Sequence, residues 1–174
     1  YYATYINADF VSKFSNTDVR NLFVASSTIT NPADFRRYTT RKFKFNFGSD
    51  VPLIRTAEMI LIDAEALART PGKEAEAHDL LYALQKNRDA NAVKSTNTGA
   101  ALIDEILLER RKELYAENGV EWFDAKRLRK GITRTGNHRI FKNLSADDKR
   151  FFLKVPQSEI DANESIDDTV NKDR

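Results

Sequence analysis

The spacing of hydrophobic residues changes near residue 51 of this 174-residue chain. Residues 41–47 alternate, with three phenylalanines on one side and Lys42, Lys44 and Asn46 on the other. A period of two is typical of a half-buried strand. No second alternating run of the same quality lies nearby, and Asn31-Pro32 marks a turn. We therefore predict that residues 1–50 form an irregular, short-strand segment that packs on the rest of the chain.

From residue 51 the spacing is helical. One apolar arc of the first helix contains Leu53, Ala57, Ile60, Leu61, Ala64, Leu67 and Ala68. A second arc, on the other side, contains Met59, Ile62 and Ala66. A helix that is apolar on two faces is expected to pack on both, which predicts a central position for this one. Pro71-Gly72 is expected to end it.

Further helices are predicted over about 73–91, 100–117 and 121–129, with Asn118-Gly119 as a left-handed cap after the third. Short turns between consecutive helices favour antiparallel pairs stacked in layers. The predicted fold is mainly α, with layered antiparallel helix pairs over residues 51–174 and one domain overall. A strict 34-residue repeat is not visible in the sequence.

Composition excludes several classes of function. The 28 basic and 26 acidic residues leave a net charge of +2, which gives no reason to expect nucleic acid binding. The absence of cysteine excludes disulfides, thiolate catalysis and cysteine-ligated zinc. His78 and His138 have no metal-ligand spacing, and the chain has no glycine-rich phosphate loop. We expect no metal, no cofactor and no membrane-spanning segment.

Charged residues fall inside the apolar arcs of the predicted helices. Arg110 lies near the middle of the third arc, and Glu113 and Glu117 lie within it. Burying such charges unpaired would cost several kcal/mol each, so we expect them to pair across helices. The predicted ion network contains Arg55, Glu58, Glu65, Arg88, Glu109, Arg110, Glu113 and Arg127.

Catalysis is the alternative use of these carboxylates. Glu109 and Glu113 are one helical turn apart, and paired carboxylates carry out glycoside hydrolysis. Neighbouring arginines would lower their pKa values, however, whereas a general acid needs a raised pKa. We therefore favour a structural network, with no catalytic residue.

Aromatic residues are the candidates for sugar stacking. Flat, exposed Tyr and Trp rings hold pyranose rings, with polar groups around them. Trp122 neighbours Phe123 on a predicted helix, which favours packing. The candidate ligand-binding residues, all in loop-like sequence, are Tyr1, Tyr2, Tyr5 and Tyr38.

Several short segments carry specific patterns. In chain order they include Asp18-Val19-Arg20, Arg41-Lys42-Phe43, Pro52-Leu53-Ile54-Arg55, Ala57-Glu58-Met59, Glu109-Arg110-Arg111, Trp122-Phe123-Asp124 and Val155-Pro156. Together they resemble the SusD/RagB-like surface lipoproteins of Bacteroidetes, which capture glycans for a TonB-dependent transporter. Departures from the family pattern are mild: Glu121 stands where arginine is common, and Glu164 where proline is common.

The resemblance implies a non-catalytic glycan-binding protein at the outer membrane, partnered by a SusC-like transporter, with a TPR-like α-α superhelix as scaffold. It also implies that the chain is the C-terminal part of a longer protein, whose N-terminal lipid anchor is absent here. The layered helices alone support an alternative, a helical-repeat protein-interaction module without a sugar ligand. A glycosidase using the acidic helices is a third hypothesis.

Overall fold

The computed structural model describes residues 5–43, 50 and 52–172. The helices are α1 (Ala8–Val11), α2 (Thr56–Ala68), α3 (Glu74–Arg88), α4 (Gly99–Leu114), α5 (Val120–Arg127) and α6 (Gln157–Ala162). Three short strands are β1 (Tyr5–Ile6), β2 (Phe23–Ala25) and β3 (Tyr38–Thr40). Two 3-10 turns cover Lys149–Phe151 and Asp168–Asn171. The prediction of a mainly α fold with a short-strand N-terminal segment is confirmed.

The main core lies between α2, α3 and α4. α2 packs against both other helices, and its buried face carries Ala57, Ala64 and Ala68. The side chains of Leu61, Leu81, Leu102 and Ile106 are fully buried there. Gly72, with φ +78°, turns the chain between α2 and α3, as a left-handed position favours glycine.

The second apolar face of α2 is exposed, which corrects the prediction that this helix packs on two sides. Met59 and Ile62 are each 47% exposed, and Ala66 is exposed. The predicted start was also too early, because Arg55 is extended and the helix begins at Thr56. Leu53, expected on the buried arc, is therefore exposed.

The predicted strand at 41–47 is not a strand where it is described, over 41–43; residues 44–47 lie outside the described residues. The sheet instead has the antiparallel order β1-β3-β2, with Tyr5 opposite Thr39 and Val24 also opposite Thr39. Beside it lies an aromatic cluster formed by Ile6, Phe10, Phe14, Phe23 and Tyr115.

The chain divides into two compact units. The first extends to Glu121 and also includes Thr135–Arg139, and it contains the sheet and α1 to α4. The second contains Trp122–Arg134 and the residues from Ile140 onward. In the second unit the Trp122 ring packs 4.8 Å from that of Phe151, between centroids. The predicted boundary at residue 50, between an irregular segment and a helical scaffold, stays a prediction.

Candidate functional site

Glu113, near the end of α4, is the centre of a buried cluster of charges in the first unit. It is 3% exposed, and its carboxylate accepts hydrogen bonds from three arginines. Arg20 Nη1 donates at 2.9 Å, Arg55 Nη1 at 2.8 Å, and Arg88 through Nε and Nη2 at 3.0 Å. Hydrogen bonds between ionised groups are about twice as strong as neutral ones, so this arrangement fixes three chain segments to α4.

More charges extend this group, which we call the Glu113 cluster. Its carboxylates are Asp18, Glu109, Glu113 and Glu117, and its cations are Arg20, Lys42, Arg55, Arg88 and Lys112. Asp18, whose side chain is fully buried, is bonded by Arg20 at 2.8 Å and by Lys112 at 3.1 Å. Burial of this many charges is tolerated because each carboxylate named here has a cationic partner.

The arginines hold the Glu113 carboxyl in its ionised form. Burial alone would raise its pKa, but hydrogen bonds from Arg88 and Arg55 and the charges of Arg88 and Arg20 outweigh that effect. The pKa falls from 4.5 to about 2. The pKa of Asp18 likewise falls to about 2, since bonds from Arg20 outweigh burial. A carboxyl with a lowered pKa carries no proton to give at neutral pH, so Glu113 is unsuited to act as a general acid.

The structure brings half of the predicted network residues into this cluster: Arg55, Arg88, Glu109 and Glu113. The other four pair elsewhere. Arg110 bonds Glu58 at 2.8 Å, Glu65 accepts from Arg69 one turn later, and Arg127 bonds Asp124 at 2.7 Å.

Sequence reasoning about the network omitted Asp18, Arg20, Lys42 and Lys112. Asp18 and Arg20 lie outside the long helices, so they belong to none of the apolar arcs from which the network was predicted. Their two-residue spacing was the available signal, because it lets Arg20 bond both oxygens of Asp18.

A second feature of the first unit is a pocket of about 250 Å³. We call it the Phe35 pocket, and its lining is Tyr5, Asn7, Phe35, Asn137, His138 and Arg139. Tyr5 is 41% exposed, and its ring lies edge-on to Phe35, with centroids 5.6 Å apart and planes at 88°. An aromatic wall beside amide and guanidinium groups suits a ligand with one apolar and one polar face.

Hydrogen bonds to α1 hold residues 135–139 against the pocket. Asn137, only 4% exposed, accepts from the Ala8 backbone N–H at 2.8 Å and donates to the Asp34 carbonyl at 2.8 Å. Asn7 donates to the Thr135 carbonyl at 2.7 Å. Gly136 has φ +70°, and a Cβ there would lie 2.9 Å from the Asn7 side chain. Both asparagine side chains are thus occupied in positioning the pocket wall.

Two guanidinium groups lie near the Phe35 ring. Those of Arg36 and Arg139 are each 5.6 Å from its centroid, within the range of cation–π attraction. Arg36 also bonds Asp34 through Nε and Nη2, at 3.0 and 2.7 Å. The ring therefore helps to place Arg139 at the pocket.

The predicted stacking tyrosines have different surroundings. Tyr5 lines the Phe35 pocket. Tyr38 lies on β3 opposite Ile6 and packs half-buried against the aromatic cluster, outside the lining of this pocket. Tyr1 and Tyr2 lie outside the described residues. Local sequence patterns could not point to Phe35 or Arg139, because more than 100 positions separate them in the chain.

Among the described residues, no group of three or more His, Asp or Glu side chains could hold a metal ion. None of the helices in the described part of the chain is both long and apolar enough to cross a bilayer.

Comparison with known proteins identifies relatives. The sequence pattern of the SusD family matches residues 33–171, which is most of the chain. A solved structure from Bacteroides vulgatus ATCC 8482, described as a SusD-like carbohydrate binding protein, is similar with a TM-score of 0.75 and 22% sequence identity. The match covers 97% of this chain and 40% of the length of that one. No curated protein matches the chain.

Proposed function

Because the chain belongs to the SusD family, we propose that it is a glycan-binding part of a bacterial surface protein that delivers oligosaccharide to a SusC-like, TonB-dependent transporter. The family match over residues 33–171 is the observation that carries this proposal. The similar structure is itself described as a carbohydrate binding protein, which supports it. Localisation at the outer membrane, the transporter partner and the lipid anchor belong to the same proposal.

We place a glycan contact at the Phe35 pocket. The exposed ring of Tyr5 offers a stacking surface, and Arg139 offers donors at the side. A sugar ring has an apolar C–H face and a rim of hydroxyls, which matches such a wall. At about 250 Å³ the pocket is smaller than the roughly 300–1,000 Å³ of sites for drug-sized ligands. It therefore suits one residue of a glycan rather than a long segment.

The Glu113 cluster serves as scaffold in this proposal, and the protein is not an enzyme. The lowered pKa of Glu113 is opposite to what a glycosidase acid requires. The Glu113 carboxylate bonds Arg20, Arg55 and Arg88, and these bonds order the chain segments that precede and follow α2.

Affinity gel electrophoresis of the chain against plant and host polysaccharides tests the proposal. We expect at least one polysaccharide to retard the chain. Tyr5→Ala should weaken that binding by roughly 5- to 100-fold if a sugar ring gains from stacking about the 1–3 kcal/mol that a nucleobase gains on an aromatic side chain. Tyr82→Ala, on α3 outside the pocket, is the matched control and should bind as the wild type does.

Two outcomes would contradict the proposal. If the Tyr5→Ala variant binds as tightly as the wild type, the Phe35 pocket is not the contact. If no polysaccharide retards the wild-type chain, glycan binding by this chain fails, and the interaction-module alternative replaces it.

A further inference from the structure

Arg139 carries a positive charge at a pocket whose lining holds no carboxylate. Among the described residues, no acidic side chain forms an ion pair with it, and its guanidinium contacts the Phe35 ring. Arg36, at the same distance from that ring, is by contrast bonded to Asp34 at two points. The guanidinium of Arg139 is thus available to bond a ligand, whereas that of Arg36 is already bonded to Asp34.

A second cavity in the first unit is lined by residues of the Glu113 cluster, and it differs from the Phe35 pocket in how its cations are bonded. It has a similar volume, about 240 Å³, and more cations line it. Its arginines are bonded to carboxylates of the cluster, and Lys42 donates to backbone carbonyls at 2.9 Å. An incoming anion would have to displace these buried partners, so cation number alone does not make that cavity an anion site.

We propose that the Phe35 pocket selects sugars that bear a carboxylate, with Arg139 bonding the carboxylate and Tyr5 stacking on the ring. This inference rests on the proposed glycan binding and names its substrate class. The planar fork of arginine matches a carboxylate with two parallel hydrogen bonds, which a neutral hydroxymethyl group cannot reproduce. The ring of Phe35 orders the guanidinium before binding, so less conformational entropy is lost when the ligand arrives.

The position of Arg139 is built rather than accidental. Asn137, two residues earlier, is buried and has both ends of its amide bonded to backbone groups. Gly136 is in a left-handed conformation that brings the loop against α1. The loop therefore holds Arg139 in a defined place although its side chain is exposed.

Calorimetric titration with matched glycans tests the inference. The probes are oligosaccharides of galacturonic, glucuronic and mannuronic acid, each also as its methyl ester, which keeps the ring and removes the charge. Sulfated and neutral oligosaccharides of similar length are titrated beside them. We expect at least one acid to bind about 10- to 100-fold more tightly than its ester. Arg139→Gln should abolish that preference, because it should weaken binding of the acid far more than binding of its ester. Arg139→Lys should restore only part of it, because a point charge lacks the fork.

Arg129→Gln is the charge-matched control, since Arg129 is an exposed arginine in the second unit, and it should leave the preference unchanged. Equal binding of every acid and its ester, or a preference that survives Arg139→Gln, would overturn the inference and leave the proposed glycan binding intact. Tighter binding of a sulfated glycan than of any uronate would overturn the carboxylate assignment. If none of the acids, esters, sulfated or neutral glycans binds, the proposed function fails as well.

Discussion

Replacing Glu113 by glutamine tests whether the buried cluster stabilises the fold through its charge. The substitution keeps the shape of the side chain and removes the negative charge that Arg20, Arg55 and Arg88 share. Arg88 would then lose its carboxylate partner, and Arg20 and Arg55 would each lose one of the carboxylates they bond. Removing one partner of a buried ion pair is strongly destabilising for this reason.

The size of the effect follows from the pKa of Glu113, which lies at about 2 in the folded chain against an ordinary value of 4.5. At about 1.4 kcal/mol per pH unit, this difference corresponds to about 3 kcal/mol of folding free energy at neutral pH. Loss of one partner of a buried pair typically costs about 3–5 kcal/mol, which agrees. A small domain has about 5–15 kcal/mol in total, so the variant should still fold.

The effect should depend on pH in a defined direction. Because the folded pKa is below the unfolded one, the stabilisation is fully present above about pH 4.5 and is lost as the pH falls through about 2. Glutamine does not titrate. The difference in unfolding free energy between wild type and Glu113→Gln should therefore shrink from about 3 kcal/mol at about pH 7 to less than half of that at about pH 3.

Urea unfolding followed by far-ultraviolet circular dichroism, at several pH values, measures this difference. Glu76→Gln is the matched control, because Glu76 forms an exposed i,i+3 pair with Lys73 and its loss should cost less than about 1 kcal/mol at any pH. A difference below about 1 kcal/mol for Glu113→Gln, or one that stays constant with pH, would refute the reasoning.

Three further predictions concern packing, the loop and coupling within the cluster. Leu61→Ala should lower the unfolding free energy by about 2–5 kcal/mol, because Leu61 is fully buried. Ile62→Ala should lower it by less than about 1 kcal/mol, because Ile62 is half exposed. Urea unfolding compares the two variants, and similar losses would show that both faces of α2 are packed. Gly136→Ala should both destabilise the chain by about 1–3 kcal/mol and weaken glycan binding. Unchanged binding in the affinity gel would show that the conformation of this loop does not matter for the Phe35 pocket. In a double-mutant cycle, the losses of unfolding free energy caused by Asp18→Asn and Glu113→Gln should differ from additivity by about 0.5–3 kcal/mol, since Arg20 bonds both carboxylates. Additive losses would contradict a shared network.

Local patterns were sufficient for the central helices and insufficient for their surroundings. The helical spacing around Leu61, Leu81 and Ile106 reflects contacts within a few turns, so the elements and the core residues could be predicted. The second apolar face of α2 was assigned to packing because spacing reports which side is apolar, not what covers it. That assignment was wrong, because Met59 and Ile62 are exposed among the described residues.

A charge inside an apolar arc indicates that the residue needs a partner of opposite charge, but not which residue that partner is. A buried Glu113 needs cationic partners, and arginine was the expected type because it bonds a carboxylate with two parallel hydrogen bonds. The identity of those partners depends on how segments far apart in sequence meet, and the spacing of residues within one helix does not report this. Arg20 reaches Glu113 across 93 positions, and Arg127 instead pairs with Asp124 on its own helix.

The Phe35 pocket shows the same limit more strongly. Tyr5 could be proposed for stacking because it is a tyrosine in loop-like sequence, but a ring becomes a binding surface only through its neighbours. Those neighbours come from the loop at 135–139, which is held by the buried amide of Asn137. In the sequence this loop is part of a basic, irregular stretch that resembles any solvated turn. Arg139 becomes a candidate ligand-binding residue only through the fold, which places its guanidinium over the Phe35 ring in a pocket whose lining contains no carboxylate.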